Sequence, residues 1–273
     1  MAAPGGFTPP FSPRGQSGVV PSPPWHYLAD FLTVSFIASE ASVVELLPLG
    51  LAPDTETTGV LGTASFATWQ ACSDSREELL DPVRSQYSEF LLFLAVRLDE
   101  ERMFYCPYIY VDADSAMVRG WLLGYPKKLG TVHVTRSFPL TSAAAPAVGP
   151  GGRFGGTLAL HGRRLAEAVV TLQEPAEPVP PVFGSRPIVA RRHFASLYRG
   201  ELNRPAVDEL TRLSSEGNQI SPVWCGLAAL TFFPSPTEDL DRLGPLRVLR
   251  GYRYSVAMTN QHNVKVKDLK EAT

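Results

Sequence analysis

Two adjacent lysines, Lys127 and Lys128, have the residue type and spacing that most directly indicate chemistry. An amine attacks a carbonyl carbon only when it is neutral, whereas a free lysine, with a pKa of about 10.4, is almost wholly protonated at pH 7. Burial among apolar groups and a neighbouring cation both favour the neutral amine. Trp121, Leu122 and Leu129 are apolar neighbours, and Lys128 is the adjacent cation. Lys127 is therefore a candidate nucleophile, and a pair of solvated surface lysines is the alternative.

Glu89 is the candidate acid and base. Alternate residues of a strand face the same side, so Glu89 is expected to share a face with Tyr87, Leu91 and Phe93. A carboxylate on an apolar inward face is costly unless it has a partner or a task. Such a group can move the protons of Schiff-base chemistry. The alternative is a structural ion pair with an arginine such as Arg97.

Several other side chains are candidates for substrate binding. Tyr87, Tyr252 and Tyr254 carry phenols that can hydrogen-bond a substrate hydroxyl, and core packing is their alternative role. Arg119 is the guanidinium nearest the lysine pair, and it can bind a carboxylate or lie on a helix surface. Lys128 can raise the local positive potential or point to solvent.

The sequence lacks the patterns of several other chemistries. Cys72, Cys106 and Cys225 lie at wide spacings that form neither a metal pattern nor a disulfide framework, and they are interpreted as small core residues. The five histidines are scattered, and no phosphate-binding loop is present. We therefore predict no metal and no cofactor.

Composition limits the class of protein and its partners. With 44% hydrophobic residues and a net charge of −2 over 273 residues, the chain is typical of a globular protein rather than a disordered one. It has no long basic run for nucleic acid and no apolar stretch long enough to span a membrane. Its N-terminus has no signal-peptide pattern. We predict a cytoplasmic protein that binds neither nucleic acid nor membrane.

The elements that must position these residues are mostly strands. Residues 1–24 are rich in Pro and Gly and are predicted to form a disordered arm, with one domain over 25–273. Aromatic and β-branched residues with turn signals between them favour a mainly β fold with few helices (α+β). Strands are predicted at 31–36, 60–69, 87–98, 104–111, 131–138, 156–160, 165–172, 188–198, 227–233, 246–258 and 264–266, with a loop at 141–152 and short helices at 43–47 and 116–123.

The heptapeptide Gly124-Tyr125-Pro126-Lys127-Lys128-Leu129-Gly130 resembles the signature of the acetoacetate decarboxylase superfamily. In that family the first lysine forms a Schiff base with a keto substrate. Tyr87-Ser88-Glu89 resembles the family's Tyr-x-Glu, which supplies a carboxylate to the pocket. The resemblance implies an antiparallel, cone-shaped β-barrel over 25–273, catalysis by Lys127 and Glu89, a small keto substrate and a homo-oligomer.

Other positions distinguish the chain from the decarboxylases of this superfamily. Ala29 and Ala64 fall near the positions of their arginine and glutamate. Arg119-Gly120-Trp121 is similar to the branch found in antibiotic biosynthesis, whose members condense pyruvate with aldehydes and dehydrate the aldol. Leu123 stands where that branch tends to have a glutamine that contacts pyruvate.

The resemblance implies a Schiff-base lyase of specialised metabolism with aldol, dehydration or cyclisation chemistry. A β-keto acid decarboxylase and a non-catalytic ligand-binding module on the same fold are the alternatives.

Overall fold

The computed structural model describes residues 5–56, 58–140, 142–176, 185–202 and 204–270. The strands are β1 (Trp25–Ala38), β2 (Leu51–Pro53), β3 (Thr55–Glu56), β4 (Gly59–Ser73), β5 (Gln86–Leu98), β6 (Glu101–Val111), β7 (Lys127–Leu129), β8 (Thr131–Val134), β9 (Arg153–Leu160), β10 (Arg163–Pro175), β11 (Ile188–Phe194), β12 (Val207–Ile220), β13 (Trp224–Phe232) and β14 (Arg247–Asp268). The helices are α1 (Glu40–Val44), α2 (Pro82–Ser85) and α3 (Asp114–Leu123), with 3-10 turns at Glu77–Leu80 and Leu240–Leu243. The prediction of a mainly β fold with few helices is confirmed.

The strands form one large sheet that closes on itself. Neighbouring strands run in the order β1-β4-β5-β6-β11-β12-β14, and β14 pairs again with β1. Most of these pairs are antiparallel, but β6 pairs with β11 and with β7 in parallel. The predicted mainly antiparallel, closed β-sheet is therefore confirmed, as a ring in which β6 adds short parallel pairs.

A second layer of strands covers one side of this ring. From β14 the sheet continues through β13, β10, β9 and β8, which contact β1, β4 and β5. Phe66, Phe90, Phe154 and Leu158 are fully buried in the resulting core. The layers are so close that a Cβ added at Gly156 would lie 2.4 Å from the Phe66 ring.

Strand β7 extends the wall of the ring beside β6, and helix α3 packs against β6, β7 and β11. The helix ends at Gly124, whose φ of +96° lets the chain turn sharply into β7. Strand β7 then pairs with β6, with Lys127 opposite Ile109. At the end of α3, the Leu123 carbonyl accepts hydrogen bonds from Thr211 of β12 and Asn263 of β14. The helix therefore links β6 to the wall formed by β12 and β14.

Several predicted boundaries differ from the observed ones. The predicted strands 131–138 and 188–198 end early, at Val134 and Phe194, and the predicted strands 246–258 and 264–266 are one continuous strand, β14. Strand β12 is absent from the prediction, because its sequence has polar residues on both faces and hence no hydrophobic alternation.

No described helix is long and apolar enough to cross a membrane.

Part of the segment predicted to be an arm contacts the domain. Residues 5–24 contain no helix or strand, yet Thr8 and Val20 are buried. The Thr8 hydroxyl donates to the Val20 carbonyl at 3.1 Å, and the Phe7 ring packs edge-on against Trp25. The described part of this segment therefore lies against the domain; residues 1–4 of the predicted arm lie outside the described residues.

Candidate active site

A cavity of about 410 Å³ lies within the ring and contains the predicted catalytic residues. Volumes of roughly 300–1,000 Å³ are typical of sites that hold small organic ligands. Strands β1, β4, β5, β6, β12 and β14 contribute to its wall, together with α3, β7 and residues 185–188. Its charged lining residues are Glu89, Arg119, Lys127 and Arg186.

Lys127 is held inside this cavity by its neighbours in the motif. Its side chain is only 8% exposed. The Trp121 indole donates a hydrogen bond to the Lys127 carbonyl at 2.8 Å, which fixes the start of β7 against α3. The Lys127 side chain lies over Gly120, where any Cβ would lie 2.3 Å from its Cδ. Lys127 is therefore not a solvated surface lysine.

Glu89 is the direct partner of Lys127. Its Oε1 lies 2.5 Å from the Lys127 Nζ, and its side chain is 2% exposed. Tyr87, Glu89 and Leu91 all line the cavity, as the alternation along β5 predicts. Arg97, the alternative partner, instead lies 3.2 Å from Asp54, so the structural ion pair proposed for Glu89 is wrong.

The protonation of Glu89 depends on opposing effects. Burial raises the pKa of its carboxyl, while the positive charge of Lys127 and hydrogen bonds from Lys127 and Trp69 act in the opposite direction. The net result is a raised pKa. A carboxylate with a raised pKa is a stronger base than an exposed one, and it is suited to take a proton and return it.

Arg119 is buried in the cavity wall and not on a helix surface. It is 3% exposed, and its guanidinium lies 5.8 Å from the ring centres of both Tyr27 and Tyr87. Its Nε and Nη2 atoms have no hydrogen-bond partner, and it forms no ion pair with a described residue. A buried cation without a carboxylate partner is costly unless a ligand supplies one.

Three tyrosines surround the charged groups. Burial raises the pKa of Tyr27 to about 12, and it raises the pKa of Tyr87 and Tyr125 well above the ordinary value. All three phenols are therefore neutral near pH 7 and can donate a hydrogen bond. Tyr87 also stacks on Trp69, with ring planes 10° apart. Leu123 completes this part of the wall as an apolar contact.

Three predicted substrate-binding residues lie outside the cavity. Lys128 points the other way along β7, is about half exposed and pairs with Glu238, so it is not the second cation beside Lys127. Tyr254 is buried against Phe31, and its hydroxyl shares a hydrogen bond with Thr33. Tyr252 is half-buried near the same end of β14. None of the three therefore lines the cavity. Alternation along β7 turns Lys128 away from it, whereas Tyr252 and Tyr254 share a face of β14 with Val256 but lie further along the strand.

Other cavity residues were missed by the sequence reasoning. Tyr27 and Trp69 line the cavity from β1 and β4, and the alternation of those strands is the signal that marks them. Strand β12 supplies Ser215 and Asn218, and β14 supplies Asn260. The polar composition of β12 gave no signal that it lines a cavity.

The site shows no arrangement for a metal. Within the described ranges, no group of three His, Cys, Asp or Glu side chains could hold a metal ion. Cys72, Cys106 and Cys225 are buried and unpaired by disulfides, and burial raises the pKa of each thiol. The chemistry available is therefore that of an amine, a carboxylate, a guanidinium and phenols.

Comparison with solved structures gives near-complete matches. The enduracididine biosynthesis enzyme MppR in complex with pyruvate is 35% identical, with a TM-score of 0.86 and coverage of 98% of this chain and 99% of the other. MppR in complex with the condensation product of pyruvate and imidazole 4-carboxaldehyde is 34% identical, with a TM-score of 0.89 and 98% coverage of each chain.

A second enzyme and the family comparison agree with these matches. An acetoacetate decarboxylase-like enzyme from Sphingomonas wittichii RW1 is 25% identical, with a TM-score of 0.86, and the match covers 97% of this chain and 100% of the other. Comparison with curated protein sequences gave no significant match. Residues 7–269 match the family model of acetoacetate decarboxylase. The chain belongs to the acetoacetate decarboxylase family.

Proposed function

We propose that this protein is a Schiff-base-forming lyase of specialised metabolism that joins a 2-keto acid to an aldehyde and dehydrates the aldol. The observation that carries the proposal is the buried group formed by Lys127, Glu89 and Arg119. The lysine supplies the nucleophile, the carboxylate moves protons, and the guanidinium offers an unmet positive charge to the carboxylate of the keto acid.

Binding comes first in the proposed reaction. The keto-acid carboxylate pairs with Arg119, which brings the ketone carbon toward Lys127. Glu89, 2.5 Å from Nζ, accepts a proton from the ammonium and leaves a neutral amine. The amine attacks the ketone carbon, and the resulting hydroxyl leaves as water with a proton returned by Glu89. The product is a protonated Schiff base on Lys127.

The Schiff base then serves as an electron sink. Glu89 removes a proton from the adjacent methyl carbon, and the resulting enamine attacks the aldehyde carbon. A new carbon–carbon bond forms, and the aldehyde oxygen takes the proton held by Glu89 and becomes a hydroxyl. Loss of a second proton and of that hydroxyl as water gives the conjugated product. Hydrolysis of the Schiff base releases the product and restores the lysine.

Two observations favour condensation over decarboxylation. The solved structures of the similar protein MppR contain pyruvate and a condensation product of pyruvate. In addition, Ala29 and Ala64, which fall near the positions of the arginine and glutamate of decarboxylases, are uncharged, and neither contributes to the cavity lining. A β-keto acid therefore finds no second cation at those positions to orient its leaving carboxylate.

The proposal is tested with pyruvate and benzaldehyde, following the conjugated product by absorbance and mass. We expect a product that depends on Lys127 and is lost in Lys127→Ala. We also expect Arg119→Gln to raise the KM for pyruvate roughly 10- to 100-fold, since it removes a buried charge partner of the carboxylate. The KM for hydroxyacetone, which has no carboxylate, should change little in the same variant.

Acetoacetate as the substrate tests the alternative function, decarboxylation. We expect weak or absent release of carbon dioxide from acetoacetate. Turnover near the enzyme median of ~10 s⁻¹ with acetoacetate, without product from pyruvate and benzaldehyde, would make the protein an ordinary decarboxylase. No reaction with any keto compound would favour a ligand-binding module.

A further inference from the structure

Asn260 is a buried polar residue of the cavity that the proposed chemistry does not use. It is 8% exposed and lines the cavity from β14. Its side-chain amide makes no hydrogen bond with the described residues. Asn263, three residues further on the same strand, is different, because its amide donates to the Leu123 carbonyl at 2.7 Å. The Asn260 amide is therefore available to a ligand.

Asn260 lies near one end of the cavity wall formed by β14. Val256, Met258 and Asn260 alternate along β14 and all line the cavity. Asn260 pairs with Trp25 at the first residue of β1, and with Ser215 of β12. It stands about 13 Å along the strand from Val256 at ~3.3 Å per residue. It thus lies toward the end of the ring where β1 begins.

The wall around Asn260 is uncharged and combines polar with apolar side chains. The lining residues of β12 and β14 include Ser214, Ser215 and Asn218 and carry no charge. Glu89, Arg119 and Lys127 come from β5, α3 and β7 instead. The remaining charged lining residue, Arg186, donates to Asp54 at 2.7 Å. The cavity therefore has a charged side and a neutral side of mixed polarity.

We infer that Asn260 is a specificity-determining residue that hydrogen-bonds the acceptor aldehyde and selects acceptors bearing a neutral hydrogen-bonding group. The inference rests on the proposed function, in which Arg119 and Lys127 hold the keto acid on the charged side. The second reactant must then occupy the rest of the cavity, where the amide offers both a donor and an acceptor. An acceptor with an apolar end leaves the buried amide unpaired, and such a site discriminates against it.

Two aldehydes of similar shape test this inference, para-(hydroxymethyl)benzaldehyde and para-ethylbenzaldehyde, each with pyruvate. We expect wild-type kcat/KM to be roughly 10- to 100-fold higher for the hydroxymethyl compound. In Asn260→Leu the ratio should fall to about one, chiefly through KM, because the contact is remote from the reacting carbons. Asn260→Ser, a smaller change, should give an intermediate ratio.

The matched control is Gln261→Leu, which removes an amide from the neighbouring residue. The Gln261 side chain is exposed and donates a hydrogen bond to Glu216 outside the cavity. It should leave the ratio unchanged, and all variants should form the pyruvate adduct on borohydride reduction. Normal adduct formation with an unchanged ratio in both Asn260 variants would overturn the inference alone. Absence of any pyruvate adduct in the wild type would overturn the proposed function, and the inference with it.

Discussion

Single residues decide the chemistry, because two cations and one carboxylate share a buried space. Lys127 and Glu89 are 2.5 Å apart, and Arg119 lies against the same tyrosine ring as Lys127. With one negative and two positive groups, this part of the cavity favours an anionic ligand. The pair Lys127 and Glu89 could be predicted from the motif and strand alternation. The outward direction of Lys128 was missed because no strand was predicted at 127–129, and adjacent residues of a strand point to opposite faces.

Glu89→Gln is expected to slow the chemical steps by roughly 10²–10⁴-fold, the usual contribution of an acid/base group. Burial raises the pKa of Glu89, and the base is active only when deprotonated. The kcat/KM of the wild type should therefore fall as pH decreases through a value above the ordinary ~4.3 of glutamate. The Gln variant should lack this acid limb.

Steady-state kinetics across pH measure both effects. The control is Glu100→Gln, which should behave as wild type. Glu100 is a fully exposed carboxylate in the turn between β5 and β6. A Glu89→Gln variant with wild-type kcat would remove Glu89 from the mechanism.

Helix α3 is the element that brings the site together. Its end is anchored on β12 and β14 through the Leu123 carbonyl, and Gly124 turns the chain into β7 so that Lys127 faces Glu89. The helix, Gly124 and the lysine motif are all evident in the sequence. Strand β12 was not predicted, because a strand between solvent and a polar cavity has no apolar face. The neutral side of the site was missed for the same reason.

Gly120→Ala is expected to impair Schiff-base formation without unfolding the protein. The added Cβ would lie 2.3–2.7 Å from the Lys127 side chain, which must therefore shift from its position beside Glu89. Displacement of about 1 Å in a reacting group can cost ~10²-fold in rate. The rate of borohydride trapping with pyruvate, measured beside a thermal melt, tests this.

Gly149→Ala is the matched control for that substitution, since a Cβ there meets nothing within 4 Å. It should trap pyruvate at the wild-type rate. If Gly120→Ala trapped pyruvate equally fast, the close packing of α3 on the Lys127 side chain would not position the lysine.

Across the whole molecule, closure of the ring joins segments that are distant in sequence. The start of β1 pairs with the last long strand, and the parallel contact between β6 and β11 completes the circle. The β content could be predicted from aromatic and β-branched runs. The parallel pairs could not, because strand periodicity carries no information about partner or direction. The family resemblance supplied the closed architecture.

Asp54 is a buried junction of this ring. Its carboxylate accepts hydrogen bonds from Arg97, Arg102 and Arg186. These contacts connect β5 and β6 to the segment before β11. Burial alone would raise the pKa of Asp54, but the hydrogen bonds from these arginines outweigh it, so the pKa is lowered. A lowered pKa in the folded state stabilises the protein above the unfolded value of ~3.9, and this stabilisation is lost as pH falls through the folded value.

Asp54→Asn is therefore expected to reduce the free energy of unfolding at pH 7 by about 2–4 kcal/mol. This loss is smaller than the ~3–5 kcal/mol that follows when one partner of a fully buried ion pair is removed, because Arg97 and Arg102 are partly exposed and screened by solvent. Urea unfolding at pH 7 and near pH 3.5 should show the difference from wild type narrowing at low pH. Asp74→Asn, at an exposed carboxylate, should change stability little. A pH-independent difference would contradict the assigned cause.

Borohydride reduction in the presence of pyruvate, read by intact mass and peptide mapping, tests the central claim most directly. We expect a single reduced adduct on Lys127, no adduct in Lys127→Ala, and an undiminished adduct in Lys128→Ala, whose side chain faces Glu238 outside the cavity. An adduct that persists at full yield in Lys127→Ala, or none in the wild type, would contradict the assignment of Lys127 as the Schiff-base lysine.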